Sequence, residues 1–356
     1  MIKRFSLLLL SVGVLALASC KSSPKSGERV SYINGVLQDS VAAILERHLM
    51  EYDAMDGVAI VMETETGKIR AMVGLEAKGD STYERVDSLA GSKYSSALMR
   101  TVSVLAALNT GKVKPDDKFD SGVGIYVFGN DTIFDHNRQR GGYGELTLRQ
   151  ALAYSSDIGI TLALDRAFAD KKQFFESVKK MSFGQPLEVE GLKMDSCSQD
   201  SIELPWCYYA MGFQETTPIQ MLTFYNAIAN EGKMVMPLLY KPSQTSEDTL
   251  QVINPQIAKA SSIIEIRKML EGVITEGLGK RAMSDKVKVA GMNGAIYNED
   301  STLTADFCGY FPAGKPKYTV LVSVHRKERP AAGGRMAGGV LKEIAEYLVE
   351  NHALHE

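Results

Sequence analysis

A serine and a lysine three residues apart on a helix can act as nucleophile and base. One turn puts both on the same face, and a neutral amine can take the hydroxyl proton. The 356-residue sequence has that spacing at Ser22 with Lys25 and at Ser177 with Lys180. The first pair falls in a polar tether, and the second on an amphipathic helix whose lysines face water, so neither reads as a site. Ser92, Ser96 and Ser155 are further candidate nucleophiles, but no base is visible near any of them in the sequence. Metal chemistry is not expected: no cysteines sit at Cys-x-x-Cys spacing, and His48, His136, His325, His352 and His355 are scattered or terminal.

The elements that would position such groups are legible in the hydrophobic pattern. Leu98, Val102, Leu105 and Leu108 recur at spacings of four, three and three, which predicts a helix with one buried stripe. Ser95 or Ser96 is its expected cap and Gly111 its end. A second helix is expected after Thr217, with Pro218 in its first turn and Asn230 and Gly232 closing it. Gly57 to Thr64 and Lys68 to Leu75 read as a hairpin turned at Glu65-Thr66-Gly67, and Ala305 to Ala313 and Tyr318 to Val324 as the last two strands. Further helices are expected over 31–54, 171–181, 263–276 and 340–348, with two between 145 and 168. Lys286 to Ala290 reads as a short strand, 76–94 as irregular, and 116–144 as a long connection.

Two runs carry a family resemblance. Met211 to Gly232, with its Gly-x-x-x-x-Thr-Pro-x-Gln core at 212–220, resembles a helix of class B penicillin-binding transpeptidases of the cell-division type. The 95–111 helix, with Leu105-Ala106-Ala107-Leu108 and Gly111, resembles their central helix. The likeness runs over about residues 55–350 in family order. It implies an α+β fold: an antiparallel sheet flanked by the terminal helices, plus a helical lobe over Val113 to Gly232, with a cleft between them.

The resemblance also assigns slots for three active-site motifs, and each is broken. The Ser-x-x-Lys slots hold Ala97 and Arg100; alanine has no hydroxyl, and a guanidinium stays protonated. The Ser-x-Asn slots hold Ser155 and Asp157, and the bland alternative is that Ser155 and Ser156 merely cap a helix. The Lys-Thr-Gly slots hold Met292, Asn293 and Gly294, so a substrate carboxylate loses its cation. A shifted register would make Ser92 the nucleophile, through Ala90-Gly91-Ser92, with Ser95 where the lysine belongs. Arg100 and Asp157 are expected to pair across the old site.

At the N-terminus, Lys3 and Arg4, an apolar run from Leu7 to Leu17 and Leu17-Ala18-Ser19-Cys20 resemble a bacterial lipoprotein signal, which implies lipidation at Cys20. The expected division is residues 1–19 signal, 20–30 tether and 31–356 transpeptidase-like domain. The implied location is the cell envelope, anchored by lipid on the periplasmic face, with the outer membrane favoured because Lys21 follows Cys20. A net charge of -3 gives no reason to expect nucleic acid, and no cofactor is expected. Cys197 and Cys207, ten apart, are a candidate disulfide in an oxidising compartment. The function these features imply is a catalytically inactive homologue that binds peptidoglycan or proteins of its synthesis. The alternatives are an active transpeptidase, carboxypeptidase or other serine hydrolase with a displaced nucleophile, and a structural lipoprotein whose cleft is filled.

Overall fold

A computed structural model describes residues 29–79, 82–197, 206–241, 250–298, 300–327 and 333–351. Residues 1–19, where the signal is expected, and Cys20, Ser22, Lys25, His352 and His355 lie outside the described residues. Numbering the main-sheet strands and the longer helices in chain order, the elements are helix α1 (Gly35–Glu51), strands β1 (Asp56–Glu63), β2 (Ile69–Gly79) and β3 (Thr82–Arg85), and helices α2 (Met99–Thr110), α3 (Leu148–Ala153), α4 (Asp157–Ala167), α5 (Lys171–Lys180), α6 (Pro218–Ala229) and α7 (Ala260–Thr275). Strands β4 (Ala290–Tyr297), β5 (Leu303–Phe311) and β6 (Tyr318–Arg326) and helix α8 (Gly333–Asn351) complete the chain.

Six strands form one antiparallel sheet in the order β4-β5-β6-β1-β2-β3. The first hairpin is as expected, and its turn requires glycine. Gly67 has φ 78, and a Cβ there would lie 2.2 Å from the Met236 carbonyl oxygen. β5 is buried along its whole length, because it is an inner strand with both faces covered. One face packs on α1 and α8 through Leu37, Val41, Leu45, Val340, Leu341 and Ile344. The other packs on the helical lobe, where α2, α6 and α7 bring Leu105, Phe224 and Ile266 together with Met292 and Cys308. This is the expected α+β arrangement, except that the lobe extends past Gly232 to include α7.

Three local expectations change. α2 is buried all round, from Met99 to Leu108, rather than along one stripe, because it is enclosed by α4, α5, α7 and the turn at Tyr209–Phe213. The strand placed at 286–290 starts at Ala290 and runs to Tyr297, since pairing with β5 overrides the weak strand propensity of Gly291-Met292-Asn293-Gly294. Residues 82–85, read as irregular, pair with β2 as the edge strand. Cys197, Cys207 and Cys308 are free thiols, so the candidate disulfide is absent. No helix among the described residues is long and apolar enough to cross a membrane.

Candidate functional site

The site begins where α2 emerges from the chain beside α4. Ser156 caps α4, accepting the Gly159 N–H at 3.0 Å and donating its hydroxyl to Asp135 Oδ2 at 2.7 Å. The Ile158 N–H donates to Asp135 Oδ1 at 3.1 Å. Burial raises the Asp135 carboxyl above its ordinary range, and the Ser156 and backbone hydrogen bonds oppose that shift. The capping reading therefore holds for Ser156. Ser155 takes a different role. Its φ of 53 places it in the left-handed region, and its buried Oγ has no hydrogen-bond partner among the described residues.

Asp157, the first residue of α4, accepts from Arg100 Nε at 2.7 Å, and Arg100 Nη1 donates to the Ala97 carbonyl at 3.3 Å. The expected pair across the two helices is present. It joins two residues that the resemblance assigns to motif slots, and its side chains are only 10% and 22% exposed. Arg100, Ser155, Asp157 and Asn293 share one cleft of about 570 Å³. Asn293 is 7% exposed, and its Oδ1 also lacks a partner.

The remaining assigned positions lie elsewhere. Strand alternation puts Met292 and Gly294 on the lobe face of β4 and Asn293 on the other. Met292 is fully buried in the lobe core, outside the cleft lining. Gly294 lies against the start of α2, where a Cβ would sit 3.0 Å from Ala97 Cβ. Ala97 is 1% exposed and does not line the cleft. Ser92 borders a separate hollow of about 30 Å³ with Asp56 and His325, and its hydroxyl donates to the Ser88 carbonyl at 3.2 Å.

Behind Ala97 lies a buried polar group that the sequence reading missed. Asp306 accepts the Ser96 hydroxyl through Oδ2 and the Ser323 hydroxyl through Oδ1, both at 2.6 Å. Burial pushes its carboxyl up to about 6, against the pull of these two hydrogen bonds. Ser96 is thus not the simple helix cap expected. It accepts the Leu98 N–H at 3.2 Å and anchors the entry to α2 on the sheet. A base does stand beside Ser96, contrary to the sequence reading, but the hydroxyl is 1% exposed and faces away from the cleft lining. The available signal was Asp306 and Ser323 interrupting two apolar strands, and they are direct partners across β5 and β6. Among the described residues, no three His, Cys, Asp or Glu side chains are grouped to hold a metal ion.

The chain matches the family model for the penicillin binding protein transpeptidase domain over residues 57–346. It is 24% identical over 342 residues to penicillin-binding protein PbpB of Mycolicibacterium smegmatis, covering 83% of this chain and 50% of that protein. It is 24% identical over 347 residues to the probable peptidoglycan D,D-transpeptidase PenA of Neisseria flavescens, covering 91% and 82%. Its fold is similar to the transpeptidase domain of penicillin-binding protein 3 from Burkholderia pseudomallei, with TM-score 0.75, 20% identity, and 93% and 98% coverage. A putative peptidoglycan glycosyltransferase from Atopobium parvulum matches with TM-score 0.80, 20% identity, and 92% and 80% coverage. The chain spans about half the length of the Mycolicibacterium relative and of several others. With the match running from the first sheet strand into the last helix, the chain belongs to the penicillin-binding protein transpeptidase domain family.

Proposed function

We propose that this chain is a transpeptidase-like protein of the cell envelope that has lost acyl-transfer chemistry and acts by binding, in peptidoglycan synthesis or cell-wall organisation. The observation that carries this reading is the Arg100–Asp157 pair at 2.7 Å. Acyl transfer at this place would need a hydroxyl at 97 and a neutral amine one turn on. Ala97 supplies no hydroxyl. Arg100 supplies a permanent cation, already held by a carboxylate. The open cleft of about 570 Å³ favours binding over the structural reading in which side chains fill the site. Its relative PenA is named a probable peptidoglycan D,D-transpeptidase, which supports peptidoglycan or its synthesis proteins as partners. Lipidation at Cys20, with residues 1–19 removed and the domain held on the periplasmic face, completes the proposal. The outer membrane is the preferred carrier.

A displaced nucleophile is the second reading, and Ser92 has the best local support. His325 Nδ1 is 2.8 Å from Asp56 Oδ1, and its buried Nε2 has no partner, as an oriented base would have it. The hollow they share, about 30 Å³, admits one or two waters rather than a peptide.

The test is labelling of the purified protein with a fluorescent penicillin. No covalent adduct is expected. A stable adduct would overturn the proposal, and mapping the modified peptide would identify Ser92, Ser96 or Ser155 as the nucleophile.

A further inference from the structure

Although the whole chain is slightly acidic, the cleft is not. Four arginines line it: Arg100, Arg138, Arg281 and Arg335. Its one lining carboxylate, Asp157, is taken by Arg100. Among the described residues the other three arginines have no carboxylate within ion-pair distance. Arg138 lies over the Phe134 ring at 4.9 Å, while Arg281 and Arg335 are exposed. Arg335 occupies the first turn of α8, where the helix dipole adds positive potential. Arg281 and Arg335 also border a second hollow lined by three acids: Glu343 and Glu346 are held by Arg47, His48, Lys286 and Lys342, and Glu51 makes no ion pair with either arginine among the described residues.

The same walls present large apolar side chains to solvent: Phe134, Phe213, Leu278 and Tyr297, each more than 40% exposed. Two buried polar atoms in the cleft, Ser155 Oγ and Asn293 Oδ1, are unpartnered. A buried polar atom without a partner is costly, so these are sites that a ligand would satisfy. Cations without carboxylate partners and exposed aromatic surface in one cavity select a negatively charged ligand with an apolar portion; the Ser155 hydroxyl can donate to such a ligand, whereas Asn293 Oδ1 accepts and calls for a donor.

We propose that the cleft binds an anion carried on an apolar body, with Arg281 and Arg335 receiving the charge and the Phe134, Phe213 and Tyr297 side receiving the body. This rests on the cleft being a binding site. It moves the anion contact away from Met292, where the family resemblance assigns a lysine, to the junction of the cleft with α8. A carboxylate and a phosphate share the required chemistry.

The test uses the full protein and two dyes with a similar apolar body, 8-anilino-1-naphthalenesulfonate and the uncharged N-phenyl-1-naphthylamine, titrated by fluorescence. The sulfonated dye is expected to bind at least roughly tenfold tighter than the neutral one, and added salt should erode the difference. Arg281→Ala with Arg335→Ala should bring the ratio to within about threefold of unity. Because both side chains are exposed and neither has a carboxylate partner among the described residues, with Arg335 reaching only the Tyr52 hydroxyl, the double variant should keep its thermal unfolding midpoint. Arg281→Gln with Arg335→Gln, which keeps more of the stem, gives the same reading if it does not. Equal binding of the two dyes by the wild type, or a ratio unchanged in both double variants, overturns the proposal. Displacement of the sulfonated dye by phenylacetate or phenyl phosphate, whichever is stronger, tells carboxylate from phosphate, and displacement by neither overturns it. The penicillin experiment is independent. An adduct with the dye ratio intact defeats the inactive reading alone, and a lost ratio without an adduct defeats the anion site alone.

Discussion

Removing either member of the Arg100–Asp157 pair leaves the other charge in a largely dry place, and the two removals should not cost the same. Breaking a fully buried pair costs about 3–5 kcal/mol. Here the side chains are 10% and 22% exposed, and the cleft admits water, so the cost should lie near the lower end. Asp157 left alone is the milder case, because it sits at the start of α4, where backbone N–H groups and the helix dipole favour a negative charge. Arg100→Ala is therefore expected to cost about 2 kcal/mol, part of it lost packing of the arginine stem. Asp157→Ala strands the more buried cation and is expected to cost about 3 kcal/mol. Its loss of a favourable helix-end charge is independent of Arg100 and cancels in a double-mutant cycle. The double variant should lose about 3.5 rather than 5 kcal/mol, a coupling of about 1.5 kcal/mol. Urea unfolding of the four proteins, followed by circular dichroism with slopes held comparable, measures it. A coupling under about 0.5 kcal/mol would refute the view that this pair holds α2 to α4.

Two further expectations concern the supports of the site. Asp306 has its carboxyl pushed up to about 6 by burial, so the folded chain holds that proton more tightly than the unfolded chain does. Its contribution to stability is full below about pH 4 and falls by about 3 kcal/mol as pH rises through about 6. Asp306→Asn should flatten that interval, and parallel profiles of stability against pH for wild type and variant would contradict it. Thr217 closes a two-way cap, accepting the Gln220 N–H at 3.3 Å while its own N–H donates to Gln220 Oε1 at 3.0 Å. Thr217→Ala should cost about 1 kcal/mol by chemical denaturation, and a loss under about 0.3 kcal/mol would mean that water replaces the cap.

Features set by contacts within a few residues could be read from the chain alone. The hairpin at 56–79 follows from two β-branched runs around a glycine turn, and α6 from Thr217, Pro218 and Gln220 at fixed spacing. The family likeness was legible for the same reason, since it is carried by short runs of neighbouring residues. So was the Arg100–Asp157 pair, because two opposite charges had been assigned to facing slots of one site. What the sequence left open depends on pairing between separate elements, at separations from 17 residues for Asp306 with Ser323 to 210 for Ser96 with Asp306. β4 could not be placed at 290–297 from Gly-Met-Asn-Gly, because its ladder comes from β5 rather than from its own propensity. Met292 could be assigned a motif slot but not a face, and only strand register turned it into the core and Asn293 into the cleft. Ser96, Asp306 and Ser323 make one network only because α2 enters over the sheet where β5 and β6 pair. Arg138, Arg281 and Arg335 lie far apart in the chain, and nothing in their spacing groups them. Only the folded chain places them on one cavity without carboxylate partners among the described residues, because charge convergence is a property of where elements meet and leaves no local pattern in the chain.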